Sequence, residues 1–262
     1  MLPRLVATDL DGTLLRTDGS LSDRTRDVLA TLDARGVPVV IVTGRPMRWL
    51  ADLLPVVGEH GLAIVSNGAA LYDVAAGEAR DVRGIEAAAG LELARRIREV
   101  LPGATFAVES VTGIALAPGF VDVERVPAGS RVGALDELWT DPALKLLVRH
   151  PRADHEQLRR GVEEAVGDLA TPTWSMPGLV EISAAGVTKA TALAALAEDL
   201  GVDAEEVIAF GDMPNDVPML TWAGQAYAVA NAHPEARAAA GRLAPANDED
   251  GVASVLAGLF EL

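Results

Sequence analysis

Residues 9–13 read Asp9-Leu10-Asp11-Gly12-Thr13, directly behind the apolar run Leu5-Val6-Ala7. The run reads as a short buried strand that Gly12 ends. Carboxylates at i and i+2 leave a strand end on the same side, while Leu10 between them turns back toward the core. Such a pair divides labour: one carboxylate attacks as a nucleophile and the other shuttles a proton, provided that a cation offsets their mutual repulsion and that of an anionic substrate. A solvated Asp-Gly turn has the same composition, so the pair acquires meaning only from the rest of the chain.

Three further stretches carry chemistry. Thr43-Gly44-Arg45 ends the apolar run 37–42, and Pro46 suits the first turn of a helix. Thr43 and Gly44 therefore stand where backbone N–H groups and the helix dipole favour an anion, a role compatible with Thr43 as a plain helix cap. Lys189, behind Thr188, opens an Ala/Leu-rich helix to Leu200; a cation at a helix N-terminus opposes the dipole, which calls for a phosphate or carboxylate partner. Gly211-Asp212-Met213-Pro214-Asn215-Asp216 follows the apolar run 207–210. Arg45 and Asn231 read as structural. The histidines His60, His150, His155 and His233 lack ligand-like spacing, so no zinc site is expected, and Trp139 and Trp174 read as packing residues.

The elements that must position these residues alternate at both ends of the chain. Ser22 caps a helix with Val28, Leu29 and Leu32 on one side, ending at Gly36. The runs 37–42 and 62–65 follow as strands, the latter leading into Ser66-Asn67-Gly68. After Lys189 the alternation resumes with strands at 207–210 and 227–230 and a closing helix within 248–262. Strand-helix alternation implies right-handed crossovers and a parallel sheet. Between about 80 and 186 the pattern changes: helices near 86–101 and 154–166 interleave with strands at 105–109, 113–117, 144–150 and 179–183. The expected organisation is a Rossmann-like, doubly wound α/β core from 1–79 and 187–262, with an α+β cap domain inserted at 80–186. Asp9, Asp11, Thr43, Asp212 and Asp216 then all lie past the carboxyl ends of strands, where open parallel sheets bind ligands.

Composition sets outer limits. Half of the 262 residues are hydrophobic, which excludes disorder, and the formal charge of −16 disfavours nucleic acid and anionic membranes in favour of small-molecule partners. An acidic protein that handles phosphate needs local positive charge from a metal, a lysine or helix N-termini. The absence of cysteine removes disulfides, thiolate nucleophiles and Cys-based zinc sites. No signal pattern or spanning apolar run is seen, and the expected location is cytoplasmic.

With the motifs in order, the chain resembles a haloacid dehalogenase superfamily phosphatase of the Cof type, the class with a large α/β cap inserted before the third motif. The resemblance rests on Asp9-Leu10-Asp11-Gly12-Thr13, Thr43-Gly44-Arg45, Lys189 within Gly186-Val187-Thr188-Lys189, and the stretch 211–216, with Asn67-Gly68-Ala69 before the insert. It implies Asp9 as nucleophile, forming an aspartyl-phosphate, and Asp11 as the acid and base that serves the leaving alkoxide and the water. It implies Mg²⁺ held by Asp9, Asp212 and the backbone carbonyl of Asp11, and Lys189 and Thr43 on the phosphoryl oxygens. Gly44, Asn67 and Asn215 belong to the phosphate and substrate side, while Asp216, and Asn215 in an alternative role, support Asp212 or Lys189. Thr8 and Ala190 depart mildly from the family pattern and remove no reacting group.

The expected function is a Mg²⁺-dependent phosphatase acting on a small phosphorylated metabolite, such as a sugar phosphate, with the insert closing over the pocket. Two other readings stand beside it: a phosphosugar mutase or phosphotransferase on the same scaffold, and a non-catalytic phosphometabolite-binding protein. Nothing in 80–186 spells out a ligand, and no pattern marks an oligomer interface.

Overall fold

Short runs of Val, Ile, Leu and Ala with no polar interruption demand burial on both faces, and they form the centre of the sheet. The computed structural model describes residues 2–49, 61–74, 76–121 and 126–262. In chain order it begins with β1 (Leu5–Thr8), α1 (Asp23–Ala34), β2 (Val39–Val42), β3 (Leu62–Val65), β4 (Ala70–Asp73) and β5 (Glu78–Arg80). Next come α2 (Ala87–Val100), β6 (Thr105–Ser110), β7 (Gly113–Leu116), β8 (Arg131–Val132), α3 (Leu135–Leu138), β9 (Lys145–Arg149), α4 (His155–Val166), β10 (Ala170–Thr173) and β11 (Val180–Ala184). The last stretch holds α5 (Lys189–Asp199), β12 (Val207–Gly211), α6 (Val217–Trp222), β13 (Gln225–Val229), α7 (Pro234–Ala240), β14 (Leu243–Ala244) and α8 (Gly251–Phe260).

The chain divides into two compact units, Met1–Arg80 with Thr188–Leu262, and Asp81–Val187. In the first, eight strands lie in the order β14-β13-β12-β1-β2-β3-β4-β5. β1 is central, parallel to both β2 and β12, so the chain builds outward on one side before the insert and on the other side after it. This arrangement creates the switch point at which two neighbouring loops diverge from the carboxyl edge. Leu5, Ala7, Val40, Ile64, Val207 and Ala209 pack with Leu193 and Leu196 of α5 in one core. Ser22 caps α1 by accepting a hydrogen bond from the Thr25 amide.

The sheet is not parallel throughout. β4 and β5 add to it antiparallel, because Ser66, Asn67 and Gly68 take φ of 51°, 59° and 102° in succession and reverse the chain. The helix expected after Pro46 begins as a 3-10 turn, Met47–Trp49, and otherwise lies outside the described residues, as does His60.

The second unit is a six-stranded sheet in the order β10-β11-β9-β6-β7-β8, antiparallel except for the β7–β8 pair. Phe106, Val108, Leu146, Val148, Val180 and Ile182 form its core with Leu93 and Ile97 of α2 and Leu158 and Val162 of α4. Trp139 fills this core: its indole donates to the Ile85 carbonyl at 3.2 Å, and its ring occupies the place of a Cβ at Gly90. Trp174 packs edge-on to His155 and under the Arg159 guanidinium. No helix among the described residues is long and apolar enough to cross a membrane.

Candidate active site

The central strand delivers Asp9 one residue past its end, where its amide still bonds the Phe210 carbonyl of β12 at 2.9 Å. The chain then turns through Leu10–Leu14, with Leu10 buried beneath and Gly12 at φ +74°. A Cβ at Gly12 would come within 2.6 Å of Asp212 Oδ2, so the backbone of this loop is packed directly on that carboxylate. Thr13 Oγ1 donates to Asp212 Oδ1 at 2.8 Å.

Lys189 begins α5, whose N-terminus is capped by the Thr188 side chain. Its own side chain is fully buried, and Nζ reaches Asp9 Oδ1 at 2.5 Å and Asp216 Oδ1 at 2.6 Å. Asp216 Oδ2 accepts from the amides of Asp212 at 3.0 Å and Met213 at 2.9 Å. Asp216 therefore ties the lysine to the loop that presents Asp212. Asp9 Oδ2 has no hydrogen-bond partner among the described residues, so one oxygen of that carboxylate is clamped and the other is open.

A second cluster adjoins the first through the same loop. Thr43 is buried; its hydroxyl accepts from the Arg45 amide at 3.0 Å and its carbonyl accepts from the Asn67 amide at 3.0 Å. Asn215 Nδ2 donates to Asn67 Oδ1 at 3.1 Å, and Gly44 leaves room for this pair, since a Cβ there would stand 3.0 Å from Asn67 Oδ1. Asn215 Oδ1 and Ser66 Oγ are buried and have no hydrogen-bond partner among the described residues. Gly68 brings the turn against α5, where a Cβ would meet the Thr188 carbonyl at 2.2 Å.

The structure thus gathers Asp9, Asp212, Asp216 and Lys189, and places Thr43, Gly44, Asn67 and Asn215 together. The Asp11 side chain stands apart from the buried carboxylates: it is exposed and gripped by Arg45 through both carboxylate oxygens, with Nε to Oδ2 at 2.7 Å. Arg45, read from sequence as structural, is therefore the ion-pair partner of Asp11. Thr13, which closes the first motif and carries no role in the sequence reading, is the side-chain donor to Asp212. His150 and His233 accept backbone amides of their own turn and helix cap, and His155 accepts the amide of Gly178 from a distant segment.

Burial raises Asp9 well above the usual carboxylate range; Lys189 opposes this, while Asp216 and Asp212 add to it. Burial, with the charge of Asp216, pushes Asp212 up to about 7 against the Thr13 hydrogen bond and Lys189. Burial works against the Lys189 charge too, but Asp216 and Asp9 outweigh it and hold the ammonium above its ordinary value. Ligand oxygens from Asp9, Asp212 and Asp216 lie within 4.8 Å of one another, with one ammonium among them. A buried, oxygen-only donor set with surplus negative charge fits a hard divalent cation such as Mg²⁺. The oxygens of Asp216 are already engaged by Lys189 and two amides, so Asp9 and Asp212 are the carboxylates with capacity to spare.

A parallel sheet that gathers buried carboxylates and a lysine at the carboxyl ends of its central strands has the architecture of an enzyme acting on an anionic group. The chain belongs to the haloacid dehalogenase-like hydrolases, whose family model matches residues 6–256. It is 27% identical over 245 residues to the HMP-PP phosphatase of Enterobacter sp. (strain 638), covering 89% of this chain and 86% of the relative. It is 28% identical over 266 residues to the 5-amino-6-(5-phospho-D-ribitylamino)uracil phosphatase YcsE of Bacillus subtilis, covering 97% and 94%. In fold it matches the crystal structure of SMU.1108c from Streptococcus mutans with a TM-score of 0.85, 24% identity and coverage of 99% and 100%. BT1666, a phosphatase of this superfamily from Bacteroides thetaiotaomicron, aligns with a TM-score of 0.84 at 23% identity, covering 100% and 96%.

Proposed function

We propose that the protein is a Mg²⁺-dependent phosphomonoesterase acting on a small phosphorylated metabolite through an aspartyl-phosphate on Asp9. The observation that carries this reading is the Asp9 carboxylate, with Oδ1 held by Lys189 at 2.5 Å and Oδ2 left open. A clamped oxygen fixes the direction in which the other attacks.

In the first step Asp9 Oδ2 forms a bond to phosphorus as the ester P–O bond breaks, and Asp11 gives its proton to the departing alkoxide. In the second, Asp11 takes a proton from water, which attacks the same phosphorus; the P–O bond to Asp9 breaks and inorganic phosphate leaves. Lys189 places positive charge beside the nucleophile, and Thr43 with the Gly44 backbone meets the phosphoryl oxygens. Asn215 Oδ1 and Ser66 Oγ, enclosed beside these groups, keep hydrogen-bonding capacity unused in the protein alone. Mg²⁺ held by Asp9, Asp212 and the Asp11 carbonyl would offset the charge of carboxylates and phosphate. The exposed side chain of Asp11 is free to exchange Arg45 for the leaving group.

The relatives' names support the substrate class, since they denote phosphatases of small phosphorylated intermediates. The test is hydrolysis of p-nitrophenyl phosphate with Mg²⁺ and with EDTA, by the wild type and by Asp9→Asn. Turnover that needs both the metal and Asp9 is expected, with a loss in the variant of at least about 10³-fold, the scale seen when a nucleophile is removed. Equal turnover in the variant would remove Asp9 as the nucleophile. A folded wild type that binds phosphate esters without releasing phosphate would favour the mutase or binding readings.

A further inference from the structure

Two asparagines outside the proposed chemistry hold the loop on which that chemistry depends. Asn231 lies just past β13 and Asn247 just past β14, the two outermost strands on the β12 side of the sheet. Asn231 Nδ2 donates to the Gly12 carbonyl at 2.7 Å, and its Oδ1 accepts from the Asn247 amide at 3.0 Å. Asn247, buried, donates its own Nδ2 to the Leu15 carbonyl at 3.0 Å. The turn from Leu10 to Leu15, closed by its own 2.8 Å backbone bond, is thus pinned at two carbonyls by segments more than 200 positions away.

What is pinned matters. Gly12 is the residue whose backbone packs on the Asp212 carboxylate, and Thr13 beside it donates to that carboxylate. Asp11 lies on the same turn. A shift of the Gly12 carbonyl therefore moves the wall against Asp212 Oδ2 and the donor on Asp212 Oδ1 together. The geometry points to Asn231 and Asn247 as positioning residues that set the metal affinity of the Asp9–Asp212 pair by fixing the Gly12–Thr13 backbone, an inference that rests on the metal-dependent reading above. Groups one step removed from ligands govern affinity in this way because they fix the ligands' direction.

Binding of Mn²⁺ to the otherwise metal-free protein, followed by electron paramagnetic resonance and calorimetry, tests this without requiring turnover. Asn231 is exposed, so its variants are expected to fold. Asn231→Asp keeps the acceptor for the Asn247 amide and sets an oxygen against the Gly12 carbonyl; Asn231→Ala removes both contacts. Both are expected to weaken Mn²⁺ binding by about tenfold, and in assays of turnover excess Mg²⁺ is expected to recover much of kcat. Asp248→Asn, whose hydrogen bonds run to Thr17 and not to the pinned turn, is expected to keep wild-type affinity. An added carboxylate acting through charge alone would tighten cation binding. Tighter binding in Asn231→Asp with unchanged binding in Asn231→Ala therefore overturns the proposal, as does wild-type affinity in both. A wild type that binds Mn²⁺ at Asp212 yet hydrolyses no ester would count against the phosphatase reading and leave this one standing.

Discussion

Lys189 carries one positive charge against the buried carboxylates of Asp9, Asp212 and Asp216, and that imbalance has a measurable sign. Asp212 titrates at about 7 in the fold against an ordinary 3.8, and Asp9 is raised as well. Between those values the folded state binds more protons than the unfolded one, so metal-free stability is complete below the ordinary carboxylate pKa and falls as pH rises toward 7. Thermal melts in EDTA between pH 4.5 and 7.5 are expected to decline more steeply for the wild type than for Asp212→Asn, which is expected to be the more stable protein near neutrality. Parallel profiles would contradict the charge imbalance. Asp216 behaves differently, because it satisfies Lys189 and two amides at once. Asp216→Ala is expected to cost about 3–5 kcal/mol in urea unfolding, as when one partner of a buried ion pair is removed. The acidic residues and Lys189 were legible because each follows a strand or opens a helix within a recognisable motif. Asn231 read only as structural and Asn247 not at all, since a side-chain bond to a carbonyl more than 200 positions away leaves no pattern in either segment.

At the scale of elements, the continuous apolar runs announced the buried parallel strands, and Ser22 announced α1. What escaped is peripheral: β8 and β14 have two residues each, and β10 is an edge strand containing Pro172. Proline is tolerated there because an edge strand has one side without ladder partners. The antiparallel β4 and β5 escaped although Asn67-Gly68 is a turn signal, because the reversal also needs Ser66 in a left-handed conformation, which a serine does not advertise, and the strands that follow are short. Gly68 completes that reversal and sits under the Thr188 carbonyl, one residue from Lys189. Gly68→Ala is expected to displace the start of α5. It should reduce kcat by about tenfold or more, on the scale of a 1 Å misplacement of a reacting group, and destabilise the fold by more than about 1 kcal/mol. Wild-type kcat together with a wild-type melting temperature would show that the turn does not set the lysine's position.

On the scale of the whole molecule, the two units differ in how they must be assembled. The core of the first draws Leu5, Ala7, Val40 and Ile64 from before the insert and Leu193, Val207 and Ala209 from after it, with β1 flanked by β12 and β2. Residues 1–80 alone therefore lack the strand that covers one side of β1 and the helix that covers its apolar face. The second unit has no such debt to the rest of the chain: Ile85, Leu93, Ile97, Phe106, Trp139, Leu146, Leu158, Val162 and Ile182 all lie within Asp81–Val187. A segment with its own packed sheet and two amphipathic helices meets the physical definition of a domain. The excised fragment 81–187 is expected to unfold in one cooperative step in urea, with a slope of about 1–3 kcal/mol per molar, while the fragment 1–80 is expected to show no cooperative transition. Circular dichroism and tryptophan fluorescence distinguish the cases, because Trp139 is buried in the core of the second unit and reports its packing directly. A non-cooperative 81–187 would mean that its core closes only with help from the remainder of the chain, and the insert would then be an elaboration of the first unit.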